Sequence, residues 1–494
     1  MNALNKEILR LAIPSILAGL TVPLVGMVDI AVAGHLHGSG GAAAFIGGIS
    51  VGSMLFDLLY WNFSFLRAGT GGLTAQAYGR QDPKECARLL TRGVGLSLAI
   101  ALLVLAIQWP FVQLAFLVVD ASEEVRALAQ QYFFIRIWAA PATLSLMALR
   151  GWFIGMQDSV SSMLTDLVVN GTNIALSIIL ALGIGAWPGL GFKGVALGTL
   201  IGQYAGLLFA GLTLLVKYRS LFSGLTGKDV RTAFQGREIR RFFSLNTDLF
   251  FRSLALTTIY IGFTTLTARY GDMTLAVGAI LMKLLMVFSF FTDGFAYAGQ
   301  ALVGKFIGMD SLEMTRKSVR YVFLWSMAIA VGFIFIYQFG GMQMLRIMTS
   351  DGAVVEACRP YLPWLILMPP LGCAAFTWDG IYEGATASRP VRNAMLGAMA
   401  GFFATWLLLK ALLLSPAAPL SAAAAITPLP DVPTALSDAP DILNAAPVIL
   451  SEAKDPSPLH LLMAAYFIHL LIRTVWLSIL YRRSVLEQPF RHDS

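Results

Sequence analysis

The feature that most constrains this chain is a succession of long apolar runs, each about the length that crosses a bilayer as one helix. Taken in order, they predict twelve transmembrane helices over 8–34, 41–66, 90–118, 125–155, 160–184, 191–217, 240–268, 274–300, 315–339, 353–382, 389–414 and 459–482. Hydrophobic residues make up 57% of the 494 and charged residues 13%, and the mean hydropathy is +0.71. No soluble globular domain of this length has that balance, so the fold class is an all-α polytopic membrane protein. The first run is too long for the h-region of a signal peptide and no cleavage pattern follows it, so it stays as the first helix.

The net charge of +7 is not a nucleic-acid signature, because the cations sit in short loops between apolar runs. Arg80, Lys84, Arg88 and Arg92 follow the second run, and seven cations from Lys217 to Arg241 follow the sixth. Lys305, Arg316, Lys317 and Arg320 surround the junction after the eighth, and Arg389 and Arg392 follow the tenth. The alternate loops hold isolated cations such as Arg126, Lys193 and Arg269. The positive-inside rule then puts both termini in the cytoplasm, and the expected location is a bacterial inner membrane. Cys86, Cys358 and Cys373 are odd in number and widely spaced, so neither a disulfide framework nor a metal cluster is expected.

An internal repeat sets the architecture. Ala68, Gly71, Asp82, Glu85, Arg88 and Arg92 recur as Ala296, Gly299, Asp310, Glu313, Arg316 and Arg320, a shift of 228. Pro141, Gly151, Gly155 and Ser159 recur as Pro370, Gly380, Gly384 and Ser388, a shift of 229. Six helices fill one period, an even number, so the halves share one orientation about a pseudo-two-fold axis along the membrane normal. The expected domains are an N-terminal six-helix lobe over 1–217, a cytoplasmic linker over 218–239 and a C-terminal six-helix lobe over 240–494. Within the last, the Pro- and Ala-rich stretch 415–458 is expected to be a disordered external loop. Two lobes around a central cleft suit an alternating-access transporter.

Asp29 stands inside the first apolar run, six residues after Pro23. A carboxylate at the middle of a membrane helix costs about 2.5–3.5 kcal/mol on insertion scales, so its default reading is functional. Pro23 weakens the helix beside it and is the expected hinge. Asp57 in the second run either faces the N-terminal interior or is a second proton site. Thr199, Gln203 and Tyr204 in the sixth run can line the same cavity or serve as helix-packing polar groups. Lys283 and Asp293 share the eighth run, too far apart to pair, and mark a polar cavity in the C-terminal lobe. Asp248 and Arg252, four residues apart, are expected to pair, while Asp166, Asp379 and Glu383 are expected to be solvated near the cytoplasmic face. His35 and His37 lack a third ligand and are read as loop residues.

The run Pro14…Pro23…Val28-Asp29-Ile30-Ala31-Val32-Ala33-Gly34 resembles the first helix of the multidrug and toxic compound extrusion (MATE) transporters. The resemblance extends through Tyr60–Gly79, Asn246–Ser253 and Thr292–Gly304, which look like the branch named after DNA-damage-inducible protein F. It implies an antiporter that expels organic, often cationic, compounds in exchange for H⁺ or Na⁺, with no cofactor. It also implies a cation-coupling site that joins Asp29 to Asn173 and, four residues on, Ser177. Ser177 departs from the carboxylate of the branch, which favours proton coupling through Asp29. The expected partners are small organic molecules and the bilayer, with no nucleic acid, and the expected state is a monomer. A lipid-linked precursor flippase on the same two-lobe plan is the alternative, though few intramembrane cations offer to hold its pyrophosphate. A membrane enzyme is not expected, since no nucleophile–base set or His-Glu-x-x-His pattern lies within the helices.

Overall fold

A computed structural model describes residues 3–36, 41–119, 122–222, 233–349, 351–413, 457–487 and 490. Nearly all of the expected 415–458 loop, residues 223–232 of the 218–239 linker, and His37 lie outside them. The helices are α1 (Ala3–Gly34), α2 (Gly41–Tyr60), α3 (Phe65–Gly79), α4 (Pro83–Val118), α5 (Glu123–Arg136), α6 (Ala140–Gly155), α7 (Ser159–Leu182), α8 (Phe192–Lys217) and the short α9 (Arg219–Phe222). After them come α10 (Gly236–Ala268), α11 (Asp272–Gly308), α12 (Leu312–Met348), α13 (Gly352–Cys358), α14 (Leu362–Gly384), α15 (Ser388–Leu413) and α16 (Pro458–Tyr481). Among the described residues, eleven segments are long and apolar enough to cross a membrane. Helix α14 adds a twelfth segment of 23 residues, less apolar because Pro369, Pro370, Asp379 and Glu383 interrupt it.

Several helices outrun the apolar runs that announced them. The second run breaks at a 3₁₀ turn, Trp61–Phe63, and resumes as the glycine-rich α3. The eighth extends past 300 to Gly308. Helix α1 passes through Pro14 and Pro23 without a break, and Pro23 itself is exposed.

The repeat is geometric as well as sequential. The four non-glycine residues with positive φ among the described residues are Gln81 (56°), Gln157 (62°), Asp310 (55°) and Thr386 (54°). Each closes a helix, and they form two pairs 229 apart. Left-handed backbone is costly for such residues, so its recurrence at matched helix ends is a property of the packing around them. Helix starts at Pro83 and Leu312, and at Ser159 and Ser388, keep the same spacing. The shift of 228 at the first junction is therefore corrected to 229: Asp310 holds the left-handed place of Gln81, and Ser311 that of Asp82.

Close helix contacts repeat in step. Gly151 lies on the carbonyl of Arg67 and Gly380 on that of Ala296; Gly155 lies on the carbonyl of Gly71 and Gly384 on that of Gln300. A Cβ at any of the four would collide with backbone. The two halves meet through α3 and α11 at the end where the basic loops gather. There Gly79 lies on the carbonyl of Lys305 while Gly308 lies on that of Gln76, with Ala75 against Gly304 between them. Small residues let membrane helices approach this closely. Hydrogen bonds close the same seam, from Gln300 Nε2 to the Ala68 carbonyl (2.7 Å), from Gln157 Nε2 to that of Ala301 (2.8 Å) and from Gln76 Nε2 to that of Gly384 (3.0 Å).

Candidate functional site

In the N-terminal half, five helices converge on Asp29. The acid is 5% exposed, and its Oδ1 is buried with no hydrogen-bond partner. On α7, Ser177 donates to Asn173 Oδ1 at 3.0 Å, and Asn173 Nδ2 donates to Thr199 Oγ1 of α8 at 3.2 Å. The spacing of four puts Asn173 and Ser177 on one helical face, and the Ser177 hydroxyl lies beside Asp29. Ser177 thus links this network to the Asp29 carboxylate, whose Oδ1 stays without a partner.

Arg136, the last residue of α5, is the cation of this pocket. Its Nη1 donates to the Tyr132 hydroxyl at 3.1 Å, and its guanidinium carbon sits 4.5 Å above the Phe56 ring centroid. It interacts electrostatically with Asp29 and Asp57 as well as with Tyr60 and Tyr132. Asp57, next to Phe56 on α2, is exposed and also faces Lys283, which α11 presents from the other half. The Tyr204 hydroxyl, within electrostatic reach of Tyr60, donates to the Trp138 carbonyl at 2.9 Å and so fixes the turn after Arg136. Gln203 is half-buried one helical turn after Thr199, with Oε1 buried and unpartnered.

The C-terminal half gathers more charge and pairs most of it. Arg252 of α10 donates to Asp379 of α14, and its Nη1 lies 3.6 Å from Glu383 Oε1. Arg473 of α16 donates to Asp379 Oδ2 at 2.6 Å. Asp293 is half-buried on α11 and faces Arg67, Arg252, Asp379 and Glu383. Arg67, from α3 of the other half, stacks 4.1 Å above the Tyr297 ring. Lys283 lies apart from this cluster, exposed, ten residues before Asp293.

Three expectations are corrected. Asp248 and Arg252 do not pair: Asp248 binds Arg392 at 2.5 Å and Ser388 at 2.7 Å, because α15 supplies closer donors while α14 engages Arg252. Asp379 and Glu383 are not solvated but buried, at 8% and 6% exposure, held by the arginines just named. Asp166 is paired with Arg150 at 2.5 Å between α7 and α6. Sequence reasoning passed over Arg67, Arg150 and Arg473. Each stands within an apolar or glycine-rich helix, and that alone could have singled it out.

Outside the membrane-spanning segments, Asp158 caps α7 by accepting from the Ser161 amide at 3.2 Å. Burial alone would raise its carboxyl. Hydrogen bonds from Lys217 (2.7 Å), Ser161 and Tyr218 (2.8 Å) instead hold it below the usual carboxylate range.

A family profile described as MatE matches residues 14–179 and 249–405. DNA damage-inducible protein F of Escherichia coli (strain K12) is 35% identical over 83% of this chain and 87% of its own length. Multidrug export protein MepA of Staphylococcus aureus (strain N315) is 24% identical over 78% of this chain and 82% of its own. Among solved structures, a MATE protein in a bent conformation superposes with a TM-score of 0.77 at 15% identity, covering 99% of this chain and 98% of the other. The outward-facing conformation of a multidrug resistance MATE family transporter superposes at 0.75 and 17% identity, with the same coverage. At such identities the structural likeness speaks for the fold.

Proposed function

The chain belongs to the MatE family, and on that premise we propose that it is a secondary active efflux transporter. It exchanges organic, chiefly cationic, compounds for H⁺ by alternating access, coupled through Asp29. The observation that carries this reading is the buried, unpartnered Oδ1 of Asp29 on α1. An intramembrane carboxylate left short of partners is a site for a proton or a cationic group. Helix α1 also touches both halves: Asn170 of α7 donates to its Thr21 at 2.5 Å, and Gly294 of α11 packs on its Ala12 carbonyl.

With the basic end closed by α3 and α11, the cleft is read as facing the opposite side, outward on the positive-inside rule. An external proton reaches Asp29 and removes its charge from the membrane interior. The cationic cargo then loses its counter-charge and leaves. Pro23 supplies no amide to the preceding turn, so α1 can bend there and pass the change to α11. We place both termini in the cytoplasm of a bacterial inner membrane. Membership of a transporter family sets aside the enzyme reading. The flippase alternative draws less support, because Arg67, Arg252 and Arg473 are matched by Asp293, Asp379 and Glu383 and leave no net positive cradle for pyrophosphate.

The test is uptake of a fluorescent cationic dye into everted vesicles under an imposed pH or Na⁺ gradient. Uptake driven by the pH gradient and lost in Asp29→Asn is the expected result. Full uptake by Asp29→Asn would end the proposal.

A further inference from the structure

We propose that Arg136 is a specificity-determining residue of the Asp29 pocket, a tethered counter-cation in the field of Asp29 and Asp57 that makes the pocket refuse Na⁺ while Asp29 remains open to a proton. The inference rests on the coupling role given above to Asp29 and adds to it the ion that the site selects.

The charges facing one another from each packed element are few. Asp29 comes from α1, Asp57 and Tyr60 from α2, Arg136 and Tyr132 from α5, and Lys283 of α11 acts on Asp57 from across the cleft. Lys283 offsets Asp57 from across the cleft, which leaves Arg136 as the fixed counter-charge of Asp29.

Arg136 is held where it is by contacts that do not depend on either acid. The Phe56 ring lies under its guanidinium, the Tyr132 hydroxyl accepts from Nη1, and Tyr204 fixes the following turn through the Trp138 carbonyl. A stacked, hydrogen-bonded guanidinium stays in place when one carboxylate changes charge, and it is always protonated. It therefore remains a fixed positive charge within the field of both acids.

A metal ion would meet two obstacles there. It would have to settle beside that fixed cation, in surroundings where charge is poorly screened. It would also need several oxygens at once, and two of those in the network beside Asp29 already accept hydrogen bonds: Asn173 Oδ1 from Ser177 and Thr199 Oγ1 from Asn173. A proton needs one free carboxylate oxygen, and Asp29 Oδ1 is one.

The experiment measures Na⁺ binding to the purified full-length chain in detergent. Thermal unfolding is followed at pH 8 in NaCl against choline chloride at equal ionic strength, for wild type, Arg136→Gln, Arg136→Lys and Arg136→Gln with Asp29→Asn. Wild type and Arg136→Lys are expected to show no Na⁺-specific shift. Arg136→Gln is expected to gain one, with apparent Na⁺ affinity at least about tenfold above wild type, and Asp29→Asn is expected to remove the gain. A Na⁺-specific shift of equal size in wild type, or none in folded Arg136→Gln, would overturn the proposal. Should Arg136→Gln not fold, Arg136→Gln with Asp57→Asn restores the net charge without the cation; a Na⁺ response is expected there, and its absence refutes the proposal. The readout needs no transport, so a coupling role for Asp29 can fail in vesicles while the ion selectivity stands or falls separately.

Discussion

The two halves repeat one backbone plan and differ in how the acids gathered at their centres are paired. In the C-terminal half, Asp379 takes two arginines and Glu383 shares one of them, across three helices. In the N-terminal half, Asp29 and Asp57 share Arg136 at a distance, with no ion pair inside 4 Å among the described residues, and Asp29 keeps an unpartnered oxygen. The difference shows where a membrane protein has freedom to work. An acid ion-paired to its neighbours holds helices together, as Asp379 does although its Oδ1 is also unpartnered, and an acid with no ion pair can respond to what arrives.

The most severe way to break this comparison is to change one acid on each side. Asp29→Asn is expected to reduce pH-driven dye uptake in everted vesicles to background, while Asp293→Asn stays within about threefold of wild type. Equal loss in both would mean that the halves share the coupling work. Next comes the C-terminal cluster itself. Arg252→Leu leaves Asp379 and Glu383 buried and short of a cation, and is expected to cost about 3–5 kcal/mol, read as a fall in the unfolding midpoint in detergent. Adding Glu383→Gln should recover part of that loss.

The seam offers a prediction that sharpens the likeness. Gly79→Leu and Gly308→Leu push side chains into equivalent carbonyls, and each is expected to cost about 1–3 kcal/mol, the two within error of one another in thermal unfolding. A wide gap between them would show that the halves bear the seam unequally. The smallest effect concerns Asp158, whose counterpart 229 residues on is Ala387. Lys217 is half-exposed, so Asp158→Asn is expected to cost about 1 kcal/mol or less. The Asp158 carboxyl is depressed in the folded state, so its contribution is present above the ordinary carboxylate pKa, about 3.9, and fades as pH falls below it. The variant should therefore lose part of the acid-side slope of stability, measured by unfolding midpoints between about pH 5 and pH 3.

Much of the fold was legible because apolar runs of membrane length leave few choices, and Asp29 was legible because a carboxylate in such a run is costly wherever its partner lies. Partners were not legible. Arg252 has Asp248 one turn away along its own helix, yet its acids come from 127 and 131 residues downstream. Helical periodicity ranks neighbours within one helix and says nothing of what a packed helix brings across. The off-by-one register at Asp82 and Asp310 has a related cause: matching letters drift by a residue, while the left-handed turn that ends each helix does not.

The reciprocal contacts of Gly79 with Lys305 and of Gly308 with Gln76 are those of an isologous interface, in which residue i of one copy meets j of the other and j meets i. Within a single polypeptide such a contact describes a dimer whose two subunits have been joined end to end. A six-helix ancestor pairing with its own twin would have closed the same way, with identical chambers on both sides. The chambers of the present chain differ instead: one holds acids paired with arginines, and the other keeps an acid with no ion pair inside 4 Å among the described residues.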